Sequence, residues 1–232
     1  GEYPYLLQHS YLGDGTTSNE TRKNSDVQNF RIEGALHANF SENESGYLKA
    51  YFYNSERGLP GGTILYNEGA FTSQRMWDNT FFVQSHYENH FSKLLSLQLN
   101  AKYHHGYLHY LDTVVLNSAG FEESYFTQNE YYASASLLYK AFTNISFSFS
   151  TDASVNNMFA QFENAALTES FAQPVRYSLL SVLAAKYVSE KVLATASVLS
   201  TLVTETVENG TAADNRNRLS PYASITYKPF DQ

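Results

Sequence analysis

Residues 47–53 read Tyr-Leu-Lys-Ala-Tyr-Phe-Tyr, residues 54–62 read Asn-Ser-Glu-Arg-Gly-Leu-Pro-Gly-Gly, and residues 74–84 read Gln-Arg-Met-Trp-Asp-Asn-Thr-Phe-Phe-Val-Gln. The first and last of these stretches carry the alternation and the aromatic residues that are typical of strands. The middle stretch is predicted to interrupt the ladder, because glycine permits a positive φ and Pro60 lacks a backbone N–H. The segment 47–87 therefore predicts a hairpin, and we expect the rest of the chain to repeat it.

Turn signals recur along the chain at a coarse period of about 50 residues. The short polar turn candidates are Ser41–Glu44, Glu88–His90, Phe142–Asn144 and Ser189–Lys191. Between them lie longer irregular segments, at Gly13–Asp26, Asn54–Ser73, His105–Glu123, Ser154–Pro174 and Glu205–Asn217. This spacing predicts a series of hairpins with tight turns at one end of the strands and long loops at the other.

The segments between the turns alternate with period two, which indicates antiparallel strands with one wet face. Residues on one predicted face are Phe30, Ile32, Leu36 and Phe40; Leu95, Leu97, Leu99, Ala101 and Tyr103; Ile145, Phe147 and Phe149; and Ala223, Ile225 and Tyr227. About ten strands of about ten residues or more are expected. The Ala/Leu-rich segment Leu179–Val203 also suits a helix, but the turn at Ser189–Lys191 favours two strands.

Composition limits the classes of function that the chain can have. Charged residues make up 16 % of the 232 residues, aromatic residues also 16 %, and the net charge is −8 without a long basic run. A nucleic-acid partner is therefore not expected, because phosphate binding needs a clustered basic face. The absence of cysteine excludes disulfides and thiolate metal sites. The chain begins Gly-Glu-Tyr without an initiator methionine, which indicates a processed or truncated chain.

Two architectures explain strands with one apolar face: a soluble sandwich and a transmembrane barrel. Strand length and the asymmetry of the loops favour the barrel, in which the apolar face meets lipid. Aromatic residues near strand ends also suit a membrane girdle; they are Tyr47, Tyr51, Tyr53, Phe81, Tyr87, Tyr103, Tyr107, Tyr110, Tyr131, Tyr132 and Tyr187. The predicted fold is an all-β, antiparallel up-and-down meander over residues 1–232, a single segment of a transmembrane β-barrel.

Several stretches carry a resemblance to a known family. Tyr53–Gly62, Ile64–Asn67, Ser73–Gln84 and the tail Leu219–Phe230, together about 40 residues, resemble the barrel of TonB-dependent outer-membrane receptors, in particular the cobalamin-receptor-like branch. The resemblance implies a barrel of about 22 strands around an N-terminal plug domain. It further implies that outer loops bind a scarce nutrient, a vitamin or metal chelate, which is imported with energy passed through TonB.

The sequence departs from that family pattern in having no plug, no TonB box and only about ten strands. It therefore resembles a partial barrel that does not transport by itself. The expected partners are the small-molecule nutrient, the plug and TonB of the full-length receptor, and outer-membrane lipid. With two unpaired edges, the segment is expected to close on itself, pair its edges with a second copy or stay insoluble.

Three charged residues beside the Gly/Pro loop are candidates for contacting an anionic group of the ligand, namely Arg57, Arg75 and Asp78. The competing interpretation is that these charged side chains only solvate the rim of the barrel. A further set is predicted to face the lumen, where it would hold the plug or line a pathway: Arg31, Glu33, Lys49, Lys102, Glu130 and Asp152.

Neither a catalytic site nor a cofactor is expected. No G-x-S-x-G, H-E-x-x-H or phosphate-binding loop is present. His104, His105 and His109 could hold a metal, but neighbouring strand residues face opposite ways, which favours ordinary rim histidines. Two alternatives stay open: a complete ten-stranded outer-membrane barrel protease and a soluble β-sandwich binding module.

Overall fold

The computed structural model describes residues 3–8, 15–60, 73–113, 115, 118–164 and 171–229. These residues form eleven strands and no helix. The strands are β1 (Tyr3–Gln8), β2 (Thr17–Arg22), β3 (Val27–Ser41), β4 (Glu44–Leu59), β5 (Gln74–His90), β6 (Leu95–Asp112), β7 (Glu122–Phe142), β8 (Ile145–Glu163), β9 (Pro174–Val188), β10 (Val192–Val207) and β11 (Arg216–Tyr227). The all-β prediction is confirmed.

Nine of the strands make one antiparallel up-and-down sheet, in the order β11-β10-β9-β8-β7-β6-β5-β4-β3. Every neighbour in this sheet is also the neighbour in sequence, so the predicted meander is confirmed. β1 and β2 form a separate two-stranded sheet. Among the described residues β3 and β11 do not pair with each other, so the sheet is open and has two edges.

The Ala/Leu-rich segment Leu179–Val203 forms two strands, as the turn signal predicts. Leu179 lies in β9 and pairs with Leu202 of β10, and the chain reverses at 189–191. The hydroxyl of Ser189 stabilises this reversal by accepting a hydrogen bond from the Val192 N–H at 3.1 Å. A short polar turn thus outweighs the helix propensity of the flanking alanines and leucines.

The strands are longer than predicted, and most of the extra length lies at the long-loop end. β7 has 21 residues and β8 has 19. Residues 54–59, 105–112 and 154–163, which the sequence predicts to be irregular, all lie in strands. These segments look like loops because they are polar, but their Asn and His side chains bond across strands, as between His105 and Asn129 at 2.8 Å.

One turn lies elsewhere than predicted. Glu88, Asn89 and His90 are the last residues of β5, and the reversal follows at 91–94. There the Ser92 hydroxyl accepts hydrogen bonds from the backbone N–H groups of Leu94 and Leu95, at 3.1 and 3.2 Å. The serine two residues after the polar cluster therefore sets the turn.

Candidate functional site

The two faces of the nine-stranded sheet differ sharply in polarity. Residues paired across strands point to the same face, and neighbours along a strand point to opposite faces. Pairing therefore places Ile32, Phe52 and Phe81 on one face with Leu95, Leu97 and Leu99 of β6. We call this the apolar face, and the opposite one the polar face. The predicted opposed sets of side chains are confirmed.

The apolar face carries a continuous uncharged region, which we call the apolar belt. It consists of the apolar-face side chains within residues 30–40, 46–52, 81–87, 95–103, 131–139, 145–155, 177–187, 192–202 and 219–227. None of these side chains is charged. Many are exposed, from Val198 at 36 % to Ile225 at 79 %, and no hydrophobic side chain among the described residues is buried.

Aromatic residues border the belt on both sides. Towards the long loops they are Phe52, Phe81, Tyr103, Tyr131 and Tyr177, and towards the tight turns Phe40, Tyr87, Tyr139, Phe147, Tyr187 and Tyr227. Five of the residues predicted for a girdle lie in these borders. Tyr47, Tyr51, Tyr53, Tyr110 and Tyr132 instead lie on the polar face. Alternation alone does not say which of two neighbouring aromatic residues points to the apolar face.

One groove among the described residues crosses the belt and is not lined by any of the three predicted ligand contacts. It has a volume of about 630 Å³ and forms where Ser85, Ala101, Ala133 and Ala153 lie side by side across four strands. Their small side chains leave a trough below the border tyrosines. The trough is apolar and open.

The polar face holds all six residues predicted to face a lumen, since register places Arg31, Glu33, Lys49, Lys102, Glu130 and Asp152 on it together. Lys49 pairs with Glu33 at 2.7 Å and Lys102 with Glu130 at 3.3 Å. Asp152 accepts a hydrogen bond from the Tyr132 hydroxyl at 2.9 Å. These side chains therefore mostly satisfy one another across neighbouring strands.

The three predicted ligand contacts lie at the long-loop end, but they do not form one site. Arg57 and Asp78 share the polar face and form an ion pair at 2.6 Å. Arg75 lies on the apolar face beyond the belt and pairs with Asp26 at 2.9 Å and Glu56 at 2.6 Å. Each guanidinium is thus already engaged by carboxylates, so neither is an open receptor for an anion. Their contact with a ligand stays a prediction.

Asn24, which the sequence does not single out, anchors the base of the β4–β5 connection. It has a φ of 54°, a left-handed conformation that asparagine adopts more readily than most residues. Its side-chain amide donates to the carbonyls of Leu59 and Gln74, at 3.2 and 2.7 Å. The Gly58 N–H donates to the Asp26 carbonyl at 2.9 Å. The segment before β3 thus crosses the ends of β4 and β5.

Gly58 has a role different from the predicted one. It is extended within β4 and pairs with Arg75, so it does not make a turn. A Cβ at this position would collide with the side chain and backbone of Asn24. The glycine is therefore required by a close approach of two chain segments, the other common reason for glycine in a strand. The residues 61–62 and 64–67, which carry part of the family resemblance, and 230 lie outside the described residues.

The three candidate histidines do not share a site. His104 lies on the polar face, opposite Phe82, whereas His105 and His109 lie on the apolar face beyond the belt. The ring of His109 stacks between Trp77 and Tyr125, with centroid distances of 4.5 Å on each side. The described residues contain no group of three side chains placed to hold a metal ion.

Several ionisable groups beyond the belt have shifted pKa values. The hydrogen bond from Arg75 holds the pKa of Asp26 below its ordinary value of 3.8, and the one from Arg176 lowers the pKa of Glu205. Partial burial, followed by the nearby Asp112 carboxylate, raises the pKa of Tyr110 to about 12. A hydrogen bond to Glu123 raises the pKa of Tyr125 to about 12. Both faces of the long-loop end thus carry ionisable side chains whose pKa values are shifted by their neighbours.

No family model matches the chain, and no curated protein matches its sequence. No helix among the described residues is long and apolar enough to cross a membrane.

Proposed function

We propose that this chain forms part of the wall of a transmembrane β-barrel in a bacterial outer membrane, within a TonB-dependent receptor that binds and imports a scarce nutrient. In this arrangement the apolar belt meets lipid, the polar face meets the lumen and the long-loop ends project outside the cell. The receptor identity rests on the resemblance of residues 53–62, 64–67, 73–84 and 219–230.

The observation that carries the membrane part of the proposal is the belt itself. A soluble domain buries its apolar side chains, yet here Leu36 is 74 % and Leu183 is 56 % exposed, and no described hydrophobic residue is buried. A contiguous apolar surface of this extent requires a cover. Lipid is the cover that accounts for the aromatic borders on both sides.

The dimensions of the belt fit a bilayer. The longest belt segments, such as 145–155 in β8, have eleven residues, which at ~3.3 Å per residue span about 35 Å along the strand. A strand tilted by about 40° to the membrane normal then spans about 25 Å, the height of the apolar band in outer-membrane barrels. The remaining residues of the long strands extend beyond the membrane on the long-loop side.

The open edges of β3 and β11 require partners in this setting. A strand edge exposed to lipid leaves backbone N–H and C=O groups without hydrogen bonds, at a cost of several kcal/mol each. We propose that further strands of the receptor barrel pair with these edges. In their absence a second copy of the chain is the expected partner, because pairing of like edges satisfies the same groups.

Cysteine scanning tests the membrane face directly, since the chain has no native cysteine. Leu99 and Gln98 are neighbours in β6 and point to opposite faces. A bimane label on Leu99→Cys, in vesicles containing brominated lipids, should be quenched and blue-shifted, whereas the label on Gln98→Cys should respond to aqueous iodide. Equal responses at the two positions would overturn the proposed membrane wall.

The receptor part needs a separate test. The gene on either side of the segment should encode a plug-like domain upstream and more strands of alternating polarity. If the neighbouring sequence encodes neither a plug-like domain nor more strands, the receptor part of the proposal is wrong and only the membrane wall stands. Peptide hydrolysis by the purified chain would instead support the barrel-protease alternative.

A further inference from the structure

The polar face changes character beyond the belt. Level with the belt, it carries hydrogen-bonding side chains such as Lys102, Ser134 and Asp152. At the long-loop ends of β5–β8, register instead brings apolar side chains together in two rows. The rows are Asp78-Leu108-Phe126-Ala160 and Met76-Tyr110-Ser124-Phe162. We call the side chains of Met76, Leu108, Tyr110, Phe126 and Phe162 the inner apolar patch.

The inner apolar patch is packed but not covered by the described residues. Phe126 and Phe162 meet edge to face with centroids 5.7 Å apart, and Phe162 meets Phe171 at 6.4 Å. Ser124, in the same row, is only 7 % exposed. The patch members themselves are half-buried. An aromatic surface held in this way offers a preformed wall for a ring or an aliphatic body.

Polar groups border the patch on two sides. On the β4 side, Arg57 and Asp78 form their ion pair. Ser55, which is only 1 % exposed, lies directly opposite Asp78, and its hydroxyl has no hydrogen-bond partner among the described residues. On the loop side, Asp112 accepts hydrogen bonds from Gln74 and Tyr110, at 2.7 and 3.3 Å. Glu122 is the cross-strand neighbour of Asp112 on the same face.

The border is acidic. Around the patch, the polar face of β4–β8 beyond the belt carries one arginine, Arg57, and four carboxylates, Asp78, Asp112, Glu122 and Glu130, of which Glu130 pairs with Lys102. The raised pKa of Tyr110 reflects partial burial and the same carboxylates. A cation is therefore favoured here and an anion disfavoured, because charges act more strongly at a partly desolvated surface than in water.

We infer that the inner apolar patch is the recognition surface for an amphipathic small molecule with an aromatic or aliphatic body and a positively charged group. The body packs on Phe126, Leu108 and Phe162, and the cation lies towards Glu122 and Asp112. This inference rests on the proposed function, because it uses the face assigned to the lumen at the outer end. The nutrient inferred here is positively charged, whereas Arg57 and Arg75 alone would indicate an anion.

A matched set of probes tests the charge preference. The chain in zwitterionic nanodiscs is titrated with trifluoromethylbenzyl trimethylammonium, trifluoromethylbenzyl alcohol and trifluoromethylphenylacetate, and binding is followed by ¹⁹F NMR line broadening against empty nanodiscs. We expect the ammonium probe to bind about 10-fold more tightly than the acetate. Equal binding of the three probes, or broadening matched by empty nanodiscs, would overturn the inference.

Phe126→Ala and Phe159→Ala are the matched variants. Phe159 sits beside Thr127 at the same end of the sheet, but on the apolar face. Phe126→Ala should weaken binding of the ammonium probe about 10-fold, and Phe159→Ala should leave it unchanged. Glu122→Gln should remove most of the preference for the ammonium over the alcohol. Equal losses in the two alanine variants would show that the probe reports general destabilisation and not the patch.

Two further outcomes separate this inference from the proposed function. If labels at residue 99 report lipid but no probe binds the patch, the membrane wall stands and the cation site does not. If probes of any charge bind only after deletion of residues 61–72, that segment of the chain is the natural occupant and the inference fails.

Discussion

The belt and the long-loop ends of one sheet obtain their stability in different ways. Across the belt, the apolar side chains share one face of the sheet, without charges and without a packed layer above them among the described residues. At the long-loop ends, the same strands carry ion pairs, stacked rings and the three buried residues of the described chain, Ser55, Gly58 and Ser124. The belt depends on its surroundings for cover, whereas the ends supply their own contacts. Under the proposed function, this difference separates a surface that meets lipid from one that meets water and ligand.

The largest expected effect follows from placing a charge in the belt. Leu99→Arg should destabilise the membrane-inserted chain by about 2–4 kcal/mol, the cost of arginine at the middle of the bilayer. Unfolding by guanidinium in liposomes, followed by Trp77 fluorescence, measures it. Gln98→Arg is the control, because Gln98 is exposed on the polar face and an arginine there can still reach Glu88, its present partner at 3.1 Å. Similar losses in both variants would remove the distinction between the faces.

The second effect contrasts two glycines in the same antiparallel pair of strands. Gly58→Ala should cost about 1–3 kcal/mol, because the new Cβ meets the Asn24 backbone. Gly34→Ala, in the belt region of β3, should be neutral or slightly stabilising, because no neighbouring atom lies within 4 Å of the place that its Cβ would take. Thermal unfolding of the two variants measures the difference. An equal response would show that the crossing of Asn24 over β4 does not constrain the long-loop end.

Sequence alone predicts the belt well because its signal is local. Alternation assigns Leu95 to Tyr103 to the correct face without knowledge of any neighbour, and the turn at Ser189–Lys191 is enough to divide the Ala/Leu-rich segment into two strands. In a sheet of sequential hairpins each strand pairs only with its neighbours in sequence, so the partners of a strand follow from the strand order. The fold class therefore follows from period and turn spacing.

The long-loop ends are predicted poorly because their contacts are not local. Asn24 reaches Gln74 across 50 positions, and nothing in the residues around Asn24 points to that partner. Arg57 and Arg75 look alike in sequence, but they lie on different strands, and the register sends them to opposite faces. Only the pairing of β4 with β5 decides this. Residues 105–112 are likewise predicted as a loop from the sequence, and only their cross-strand partners show that they belong to a strand.

The smallest effect is a pH dependence confined to the long-loop end. Because the pKa of Asp26 is held below 3.8 by Arg75, its contribution to stability is present above that value and is lost as pH falls through the lowered pKa. Hydrogen exchange at the Gly58 N–H, which donates to the Asp26 carbonyl, should therefore quicken on the order of a few-fold below about pH 4, after correction for the intrinsic rate. Amides of belt residues such as Leu99 should show no such change, because the belt carries no titratable carboxylate on its apolar face. Asp26→Asn should abolish the pH dependence at Gly58 and leave faster exchange at all pH values. A parallel acid response in the belt would mean that the two regions unfold as one unit, and that the long-loop end does not hold itself together independently.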